Sequence, residues 1–210
     1  MTERFPPWLL CLLFVFAAGL FRANDVSAAE FPFSFGFART EITPETPLRL
    51  SGYGNRDVVY EGVDEPLFVR AIAIKTPEQK ICSLVSLDSI GFAGSLTDRI
   101  AQHVKQKYGL SRDQLVLCST HSHTAPQPVE GLSNIFATPM TEAQRGASQK
   151  YWNSVEQRIV QTIGRAIEDL QPGTLSFVTG KVGFAQNRRV LKNGKWTGFG
   201  VNPDGSVDHS

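Results

Sequence analysis

Apolar residues recur along the middle of the chain in short runs that predict β-strands. The run at 31–44, FPFSFGFARTEITP, alternates large and small residues and predicts an opening strand that stops at Pro44. The runs at 67–76 and 80–91 are rich in β-branched and apolar residues, and the turn-like PEQ between them predicts neighbouring strands, such as a hairpin. The second of these runs is almost wholly apolar, which is typical of a strand that is covered on both faces.

A helical spacing of apolar residues follows. The segment 95–109, SLTDRIAQHVKQKYG, has apolar residues three or four positions apart and ends at Gly109. Ser95 and Asp98 occupy the positions of a capping box at its start. The run QLVLCST at 114–120 predicts the next strand, so strand, helix and strand form a crossover with parallel pairing.

The second half of the chain predicts one long helix and a hairpin. The segment 148–173 has its apolar residues on one face and is stopped by Pro172 and its neighbouring glycine. A further strand is predicted at 174–184. Asn193-Gly194, between extended residues, then predicts a two-residue hairpin turn.

Together these elements predict an α/β fold with a mixed sheet and crossover helices. The chain ends at VNPDGSVDHS without a closing strand or helix, so we expect an incomplete domain that is truncated at its C-terminal end. No periodicity is visible between Thr124 and Ala147, and loops of that length often cover a site. Leu132, Ile135 and Phe136 are the apolar residues with which this loop would line a groove.

Residues 1–28 predict a cleaved export signal. A short polar start precedes an apolar run that ends at Phe21, and small residues lead to a cleavage point after Ala28 or Ala29. The alternative is a membrane anchor, but the apolar run is shorter than the roughly 20 residues that span a bilayer. We therefore expect 29–210 to be the mature, secreted or periplasmic part of the chain.

Composition narrows the range of partners. Lys and Arg number 21 against 20 Asp and Glu, for a net charge of +1, and no basic run is interleaved with aromatic residues, so no nucleic acid is expected as a partner.

The mature chain would keep Cys82 and Cys118, which could be two buried thiols or one disulfide bridge. We expect buried thiols, and neither cysteine has the spacing of a zinc or redox motif.

Two histidines stand directly after the strand predicted at 114–120, in the segment LCSTHSHTAPQ. In an extended segment the side chains of His121 and His123 point to the same side. They could share a metal ion, or one could bind it while the other handles a proton; the alternative is a polar loop with two unrelated histidines. A position at the carboxyl end of a strand in an α/β sheet favours a site.

A catalytic zinc ion usually takes three protein ligands, so this pair needs partners. Asp88 ends its own apolar strand and could be a ligand, an acceptor for an imidazole N–H, or only a turn residue. Arg188 and Arg189 follow a predicted strand, and an arginine there could hold a carbonyl or phosphate oxygen, although a solvated arginine is the commoner outcome.

The order of these motifs resembles the N-terminal part of the neutral/alkaline non-lysosomal ceramidase family. The resemblance runs from about Phe35 to the end of the chain, and it rests on GFARTEITPE, RLSGYGNR, LVSLD, STHSHTAP, and AQNRR before VNPDGSVDH. It implies that 29–210 is the N-terminal part of an exported zinc amidase domain. Such amidases cleave the N-acyl bond of ceramide to sphingosine and a fatty acid.

The resemblance also implies roles for individual residues. His121 would be a direct zinc ligand, and His123 would be a catalytic residue that sits against the substrate amide or its oxyanion. Arg188 matches the arginine that lines the family's active-site pocket and would be the second catalytic residue. The family's other ligands, a histidine, a glutamate and a tyrosine, would follow Ser210. The implied partners are Zn²⁺ and a ceramide-like lipid, with room for peripheral contact with a membrane surface.

The chain departs from the family beside these residues. It has SHTAPQ where ceramidases have Thr-His-Ser-Gly-Pro-Gly, and Arg189-Val190 where they have Ser-Pro. These changes touch the pocket wall and bear more on the substrate than on the metal. Two alternatives therefore stay open: a non-catalytic exported binding domain of the same fold, and a zinc hydrolase that acts on another amide or ester.

Overall fold

A computed structural model of the chain describes residues 31–131, 138–182, 188–193 and 195–200. The predicted signal peptide lies outside these residues. The chain divides into two compact units, with the boundary after Thr174. No helix within the described ranges has the length and apolar character that crossing a membrane requires.

Five strands of the first unit form one mixed sheet. In chain order they are β1 (Phe33–Glu41), β2 (Phe68–Lys75), β3 (Ile81–Leu87), β4 (Leu115–Ser119) and β5 (Gln171–Gly173). Across the sheet the order is β4-β3-β2-β1-β5. β2 pairs antiparallel with β1 and β3, which confirms the predicted hairpin. β3 pairs parallel with β4, which confirms the predicted crossover. The mixed α/β fold class is therefore confirmed.

The crossover helix α1 (Gly94–Tyr108) ends as predicted but begins differently. Gly109 stops it in a left-handed conformation, with φ 74°. The predicted capping box is wrong, because the N-cap is Ala93 and no side chain caps the helix. Ser95 lies inside the helix, and its hydroxyl donates a hydrogen bond to Glu130 instead.

The long helix α2 (Glu142–Glu168) begins six residues earlier than the apolar pattern predicts. Thr141 caps it: the Thr141 side chain accepts a hydrogen bond from the Gln144 backbone, and the Gln144 side chain accepts one from the Thr141 backbone. The first turns of α2 are polar and contain Gly146, so hydrophobic spacing could not reveal them.

The core lies between one face of the sheet and the two helices. The sheet contributes small and β-branched side chains, the crossover helix one apolar stripe, and the long helix a second stripe. Its almost fully buried members include Ile42, Val69, Ala71, Ala73, Val85, Leu87, Ile100, Val104, Val155, Ile159, Ile163 and Ala166.

The other face of the sheet is open in the described first unit. Phe37, Leu84 and Val116 of β1, β3 and β4 point to it and are 61%, 40% and 55% exposed. The prediction that β3 is covered on both faces is therefore wrong for the described residues, since both helices of the unit pack against the same face. An apolar run alone does not tell which face of a strand is covered.

The two cysteines do not meet. Cys82 is half-buried in β3, Cys118 is exposed in β4, and both thiols are free. Cys118 is opposite Ser86 in the parallel register, four residues along β3 from Cys82, which corresponds to about 13 Å. The prediction of buried thiols is wrong for Cys118, because it lies on the open face.

The second unit contains the predicted hairpin, formed by β6 (Arg189–Lys192) and β7 (Lys195–Phe199), which pair antiparallel. Asn193 at the turn has φ 51°, as a turn of this kind requires. The strand predicted over 174–184 is wrong for residues 174–182, and its last two residues lie outside the described ranges. Leu175, Phe177 and Val178 are exposed there, so β-propensity without a pairing partner made no strand.

Candidate functional site

The carboxyl ends of β3 and β4 hold the two histidines. The parallel ladder continues past both strands, because the Thr120 amide donates to the Leu87 carbonyl and the Ser122 amide donates to the Ser89 carbonyl, each at 3.0 Å. The histidine segment is therefore fastened beside the residues that follow β3. This is the edge at which α/β sheets bind ligands, as the sequence predicts.

His121 is held in a specific orientation. Its backbone lies in the left-handed region, with φ 59°, which is rare for a residue that carries a Cβ. Its ring Nδ1 lies 2.9 Å from the carbonyl oxygen of Ile90. Because a carbonyl only accepts, Nδ1 must carry the proton of this hydrogen bond, and Nε2 of the neutral ring then keeps its lone pair.

The rings of His121 and His123 are in contact. Their centroids are 5.0 Å apart, and the ring planes are inclined by 72°. The prediction that the two side chains address one small volume holds, but the predicted extended backbone is wrong at His121. His121 is exposed and His123 is half-buried, so both can be reached from solvent.

The glycine-containing segment 48–56 packs against the histidine segment. The amide and the hydroxyl of Ser51 both donate to the Ala125 carbonyl at 2.9 Å, and the Gln127 amide donates to the Arg49 carbonyl at 2.9 Å. Gly52, with φ 97°, then lies directly against His123. The two segments thus approach each other closely at Gly52.

Two side chains of the same segment extend the contact. The ring of Tyr53 meets the ring of His123 edge-on, with centroids 5.2 Å apart. The guanidinium carbon of Arg56 lies 4.9 Å from the centroid of Tyr53. Arg56 also donates hydrogen bonds from one nitrogen, Nη1, to the carbonyls of Ser51 and His123, at 2.9 and 2.6 Å.

Arg49 holds segment 48–56 in place from the interior of the protein. It is almost fully buried, and its guanidinium donates to the carbonyl of Arg56 at 2.9 Å. It also donates to the carbonyls of Thr138 and Pro139 and to the Thr138 hydroxyl. A buried cation that binds several carbonyls holds their loops together, so Arg49 ties segment 48–56 to the residues before α2.

The side chain of Asp88 makes its hydrogen bonds with β2 and not with the histidine rings. Its Oδ2 accepts hydrogen bonds from the Phe68 amide at 2.8 Å and from Arg70 at 2.9 Å. Of the three roles that the sequence left open, these contacts are those of a turn residue. The acceptor for the imidazole N–H is the Ile90 carbonyl instead, a backbone group that residue types cannot reveal.

A cavity of about 650 Å³ lies against the other side of the histidine loop. Thr120, Ser122 and Thr124 alternate with the histidines in sequence and line it, together with Asp88 and Arg70. Neither histidine lines this cavity.

Arg188 belongs to the second unit. It is exposed, directly precedes β6, and its carbonyl accepts a hydrogen bond from the Gly200 amide at 3.0 Å. The predicted groove residues Leu132, Ile135 and Phe136 lie outside the described residues. The catalytic role of Arg188 thus stays a prediction.

The residues present fit part of a zinc site. His121 has the hydrogen-bonded Nδ1 that orients an imidazole for metal binding through Nε2. Within the described residues no group of three or more His, Cys, Asp or Glu side chains is placed to hold a metal ion. The histidine pair can therefore supply at most two of the three protein ligands that a catalytic zinc ion usually takes.

Tyr53, Arg56 and Ile90 belong to the site although the residue pattern did not predict them. The signal for the first two was an aromatic residue and an arginine on either side of Gly54 in SGYGNR, a composition suited to close stacking. For Ile90 there was none, because its backbone oxygen makes the contact.

Comparison with known proteins finds relatives that are described as neutral ceramidases. The sequence profile described as "Neutral/alkaline non-lysosomal ceramidase, N-terminal" matches residues 33–196. The chain is 28% identical to Neutral ceramidase 3 of Arabidopsis thaliana over 151 residues. This aligned region covers 70% of this chain and 20% of the relative. It is 26% identical to Neutral ceramidase of Pseudomonas aeruginosa over 190 residues, and this aligned region covers 86% of this chain and 28% of that protein.

The fold agrees with a solved structure. The crystal structure of neutral ceramidase from Pseudomonas aeruginosa superposes with a TM-score of 0.58 and 23% identity, over 68% of this chain and 22% of that one. At this identity the likeness concerns the fold. The chain spans between a fifth and somewhat more than a quarter of the length of these relatives.

Proposed function

The chain belongs to the neutral/alkaline non-lysosomal ceramidase family, and we propose that it is the N-terminal part of an exported zinc amidase that hydrolyses ceramide or a related N-acyl lipid. The products would be a sphingoid base and a fatty acid. Residues 1–28 would be the export signal, and 29–210 would be the N-terminal part of the catalytic domain. Family membership supports the reaction and the lipid substrate.

One observation carries the metal assignment. The Ile90 carbonyl holds Nδ1 of His121 at 2.9 Å, so the lone pair of Nε2 is free to bind a cation. His121 would thus hold zinc, together with ligands from other parts of the protein. When bound, zinc would polarise the scissile carbonyl and lower the pKa of a bound water molecule to about 7.

His123 would act on the substrate. Its ring touches that of His121 and is half-buried, which places it beside any group that His121 helps to bind. From there its ring N–H can donate a hydrogen bond to the oxygen that becomes negative when the amide is attacked. It can also pass a proton to the leaving amine. Arg188 would hold an oxygen of the lipid headgroup or amide.

The test uses the full-length natural protein with three histidine variants. His121→Ala should lose most of its zinc, measured by mass spectrometry of the metal, together with hydrolysis of an N-acyl sphingosine in detergent micelles. His123→Ala should keep its zinc and lose about 100-fold or more in kcat. His103→Ala is the matched control, because His103 is a partly exposed residue of α1 that faces Glu156 at 3.4 Å.

Several results would overturn the proposal. Full zinc content in His121→Ala would remove the metal assignment. Zinc-dependent hydrolysis of soluble amides or esters without a preference for N-acyl lipids would indicate a different substrate. Neither zinc nor hydrolysis in the natural protein would indicate the non-catalytic binding domain.

Export has its own test. The N-terminus of the protein recovered outside the cytoplasm should be Ala29 or Glu30, as found by mass spectrometry. An exported protein that still begins at Met1 would contradict cleavage of the signal.

A further inference from the structure

Arg56 joins the two segments that meet at the histidines. Its Nη1 donates to the carbonyl of His123 at 2.6 Å and to the carbonyl of Ser51 at 2.9 Å. Arg56 is half-buried, and these two hydrogen bonds place its guanidinium within the junction. Nη1 has two N–H groups, and each serves a backbone carbonyl, so this nitrogen of Arg56 holds the backbone on both sides of the junction.

The flat face of the same guanidinium has a second partner. It stacks on the ring of Tyr53 at 4.9 Å, and Tyr53 meets His123 edge-on at 5.2 Å. His123 in turn meets His121 at 5.0 Å. Arg56, Tyr53, His123 and His121 thus form one continuous series of contacts, which we call the Arg56 stack.

The Tyr53 ring of this stack does little for the fold itself. Tyr53 is 55% exposed, so its ring buries only part of its apolar area. Segment 48–56 is already fastened to residues 125–127 by backbone hydrogen bonds in which the Tyr53 ring takes no part. What the exposed ring does contact is the imidazole of His123.

We propose that Arg56 and Tyr53 are positioning residues that fix the ring of His123 relative to His121. Arg56 fixes the backbone of His123 through its carbonyl, and Tyr53 fixes the inclination of its imidazole. Together they would hold His123 against a substrate amide in the geometry that catalysis needs. This inference rests on the proposed function only in assigning His123 a role in hydrolysis.

The test compares variants of Arg56 and Tyr53 in the full-length natural protein. Tyr53→Ala and Arg56→Ala should lower kcat by about 10- to 100-fold, since small displacements of a catalytic group are costly. KM should change less than about threefold, and zinc content should stay at the wild-type level. Tyr53→Phe keeps the ring and should restore most of kcat. Arg56→Lys should restore little, because a lysine lacks the planar group that both donates and stacks.

A spectroscopic readout tests positioning without any turnover. In protein labelled with ¹³C-histidine, the Cε1–H resonance of His123, assigned by its loss in His123→Ala, should shift or broaden in Tyr53→Ala and Arg56→Ala. The matched control is Arg39→Ala, because Arg39 also stacks on an aromatic ring, that of Phe68 at 5.1 Å, but on the sheet. It should change neither the resonance nor kcat.

The outcomes separate this inference from the proposed function. An unchanged His123 resonance in Tyr53→Ala and Arg56→Ala overturns the positioning role, and so does an equal loss of kcat in Arg39→Ala. If the wild-type protein hydrolyses no N-acyl lipid, the proposed function fails, while the resonance still decides whether the Arg56 stack orients His123.

Discussion

A Cβ atom at Gly52 would lie 2.4 Å from the Cβ of His123 and 2.7 Å from its Cα. These distances are far below van der Waals contact, and the backbone of Gly52 is left-handed, with φ 97°. Segment 48–56 can therefore approach His123 only because residue 52 has no side chain.

Gly52→Ala should consequently damage the site. The strained backbone alone is expected to lower the free energy of unfolding by about 1–3 kcal/mol, and the clash with His123 adds to this. Chemical denaturation measures the loss. Gly62→Ala is the control, since a Cβ there meets nothing within 4 Å. Equal stability of the two variants would mean that Gly52 does not approach His123 as described.

The crossing of β1 and α2 leads to a second prediction. A Cβ at Gly36 would lie 1.9 Å from the backbone oxygen of Ala166, so Gly36→Ala must push the strand and helix apart. We expect a loss of about 3 kcal/mol in the free energy of unfolding, at the upper end for overpacking. Gly146→Ala, in open space within α2, should instead be neutral or stabilise by up to about 1 kcal/mol. A mild effect of Gly36→Ala would contradict this packing.

The stability of the chain should depend on Glu130 in a defined range of pH. The hydrogen bond from Ser95 lowers the pKa of Glu130 below its ordinary value of 4.5, Arg99 lowers it further, and desolvation opposes both. Because the folded pKa lies below the unfolded one, this contribution is fully present above pH 4.5 and is lost as the pH falls through the folded value.

Glu130→Gln should therefore lower Tm at pH 7, and the difference from wild type should narrow below pH 4.5. The effect should be under about 1 kcal/mol, because the Glu130 side chain is 39% exposed. Thermal denaturation across pH 3 to 7 measures it, with the exposed Glu61→Gln as control. A difference that stays constant over this range would refute the assignment.

The ring of His121 should be found in one tautomer. In the metal-free protein, at a pH where the ring is neutral, Nδ1 should carry the proton because the Ile90 carbonyl at 2.9 Å accepts it. The two ¹⁵N chemical shifts of the ring, from long-range ¹H–¹⁵N spectra, distinguish the tautomers. A proton found mainly on Nε2 would exclude the hydrogen bond to Ile90 and weaken the case for His121 as a ligand.

Much of the fold was predictable because it depends on local patterns. Runs of apolar and β-branched residues located β1 to β4, helical spacing located α1, and Asn193-Gly194 located the terminal hairpin. The start of α2 was missed because the capping box of Thr141 and Gln144 defines it, and no apolar spacing accompanies that capping box. The strand at 174–184 was predicted wrongly because β-propensity does not supply a partner.

The sequence by itself determined the α/β class, the parallel crossover and the position of His121 and His123 at the carboxyl end of β4, since each follows from neighbouring residues. The tertiary structure decided how the histidine rings are oriented. The Ile90 carbonyl is 31 residues from His121, and Arg56 is 67 residues from His123. Contacts over such separations depend on how the chain folds back on itself, and a local pattern of residue types carries no record of them.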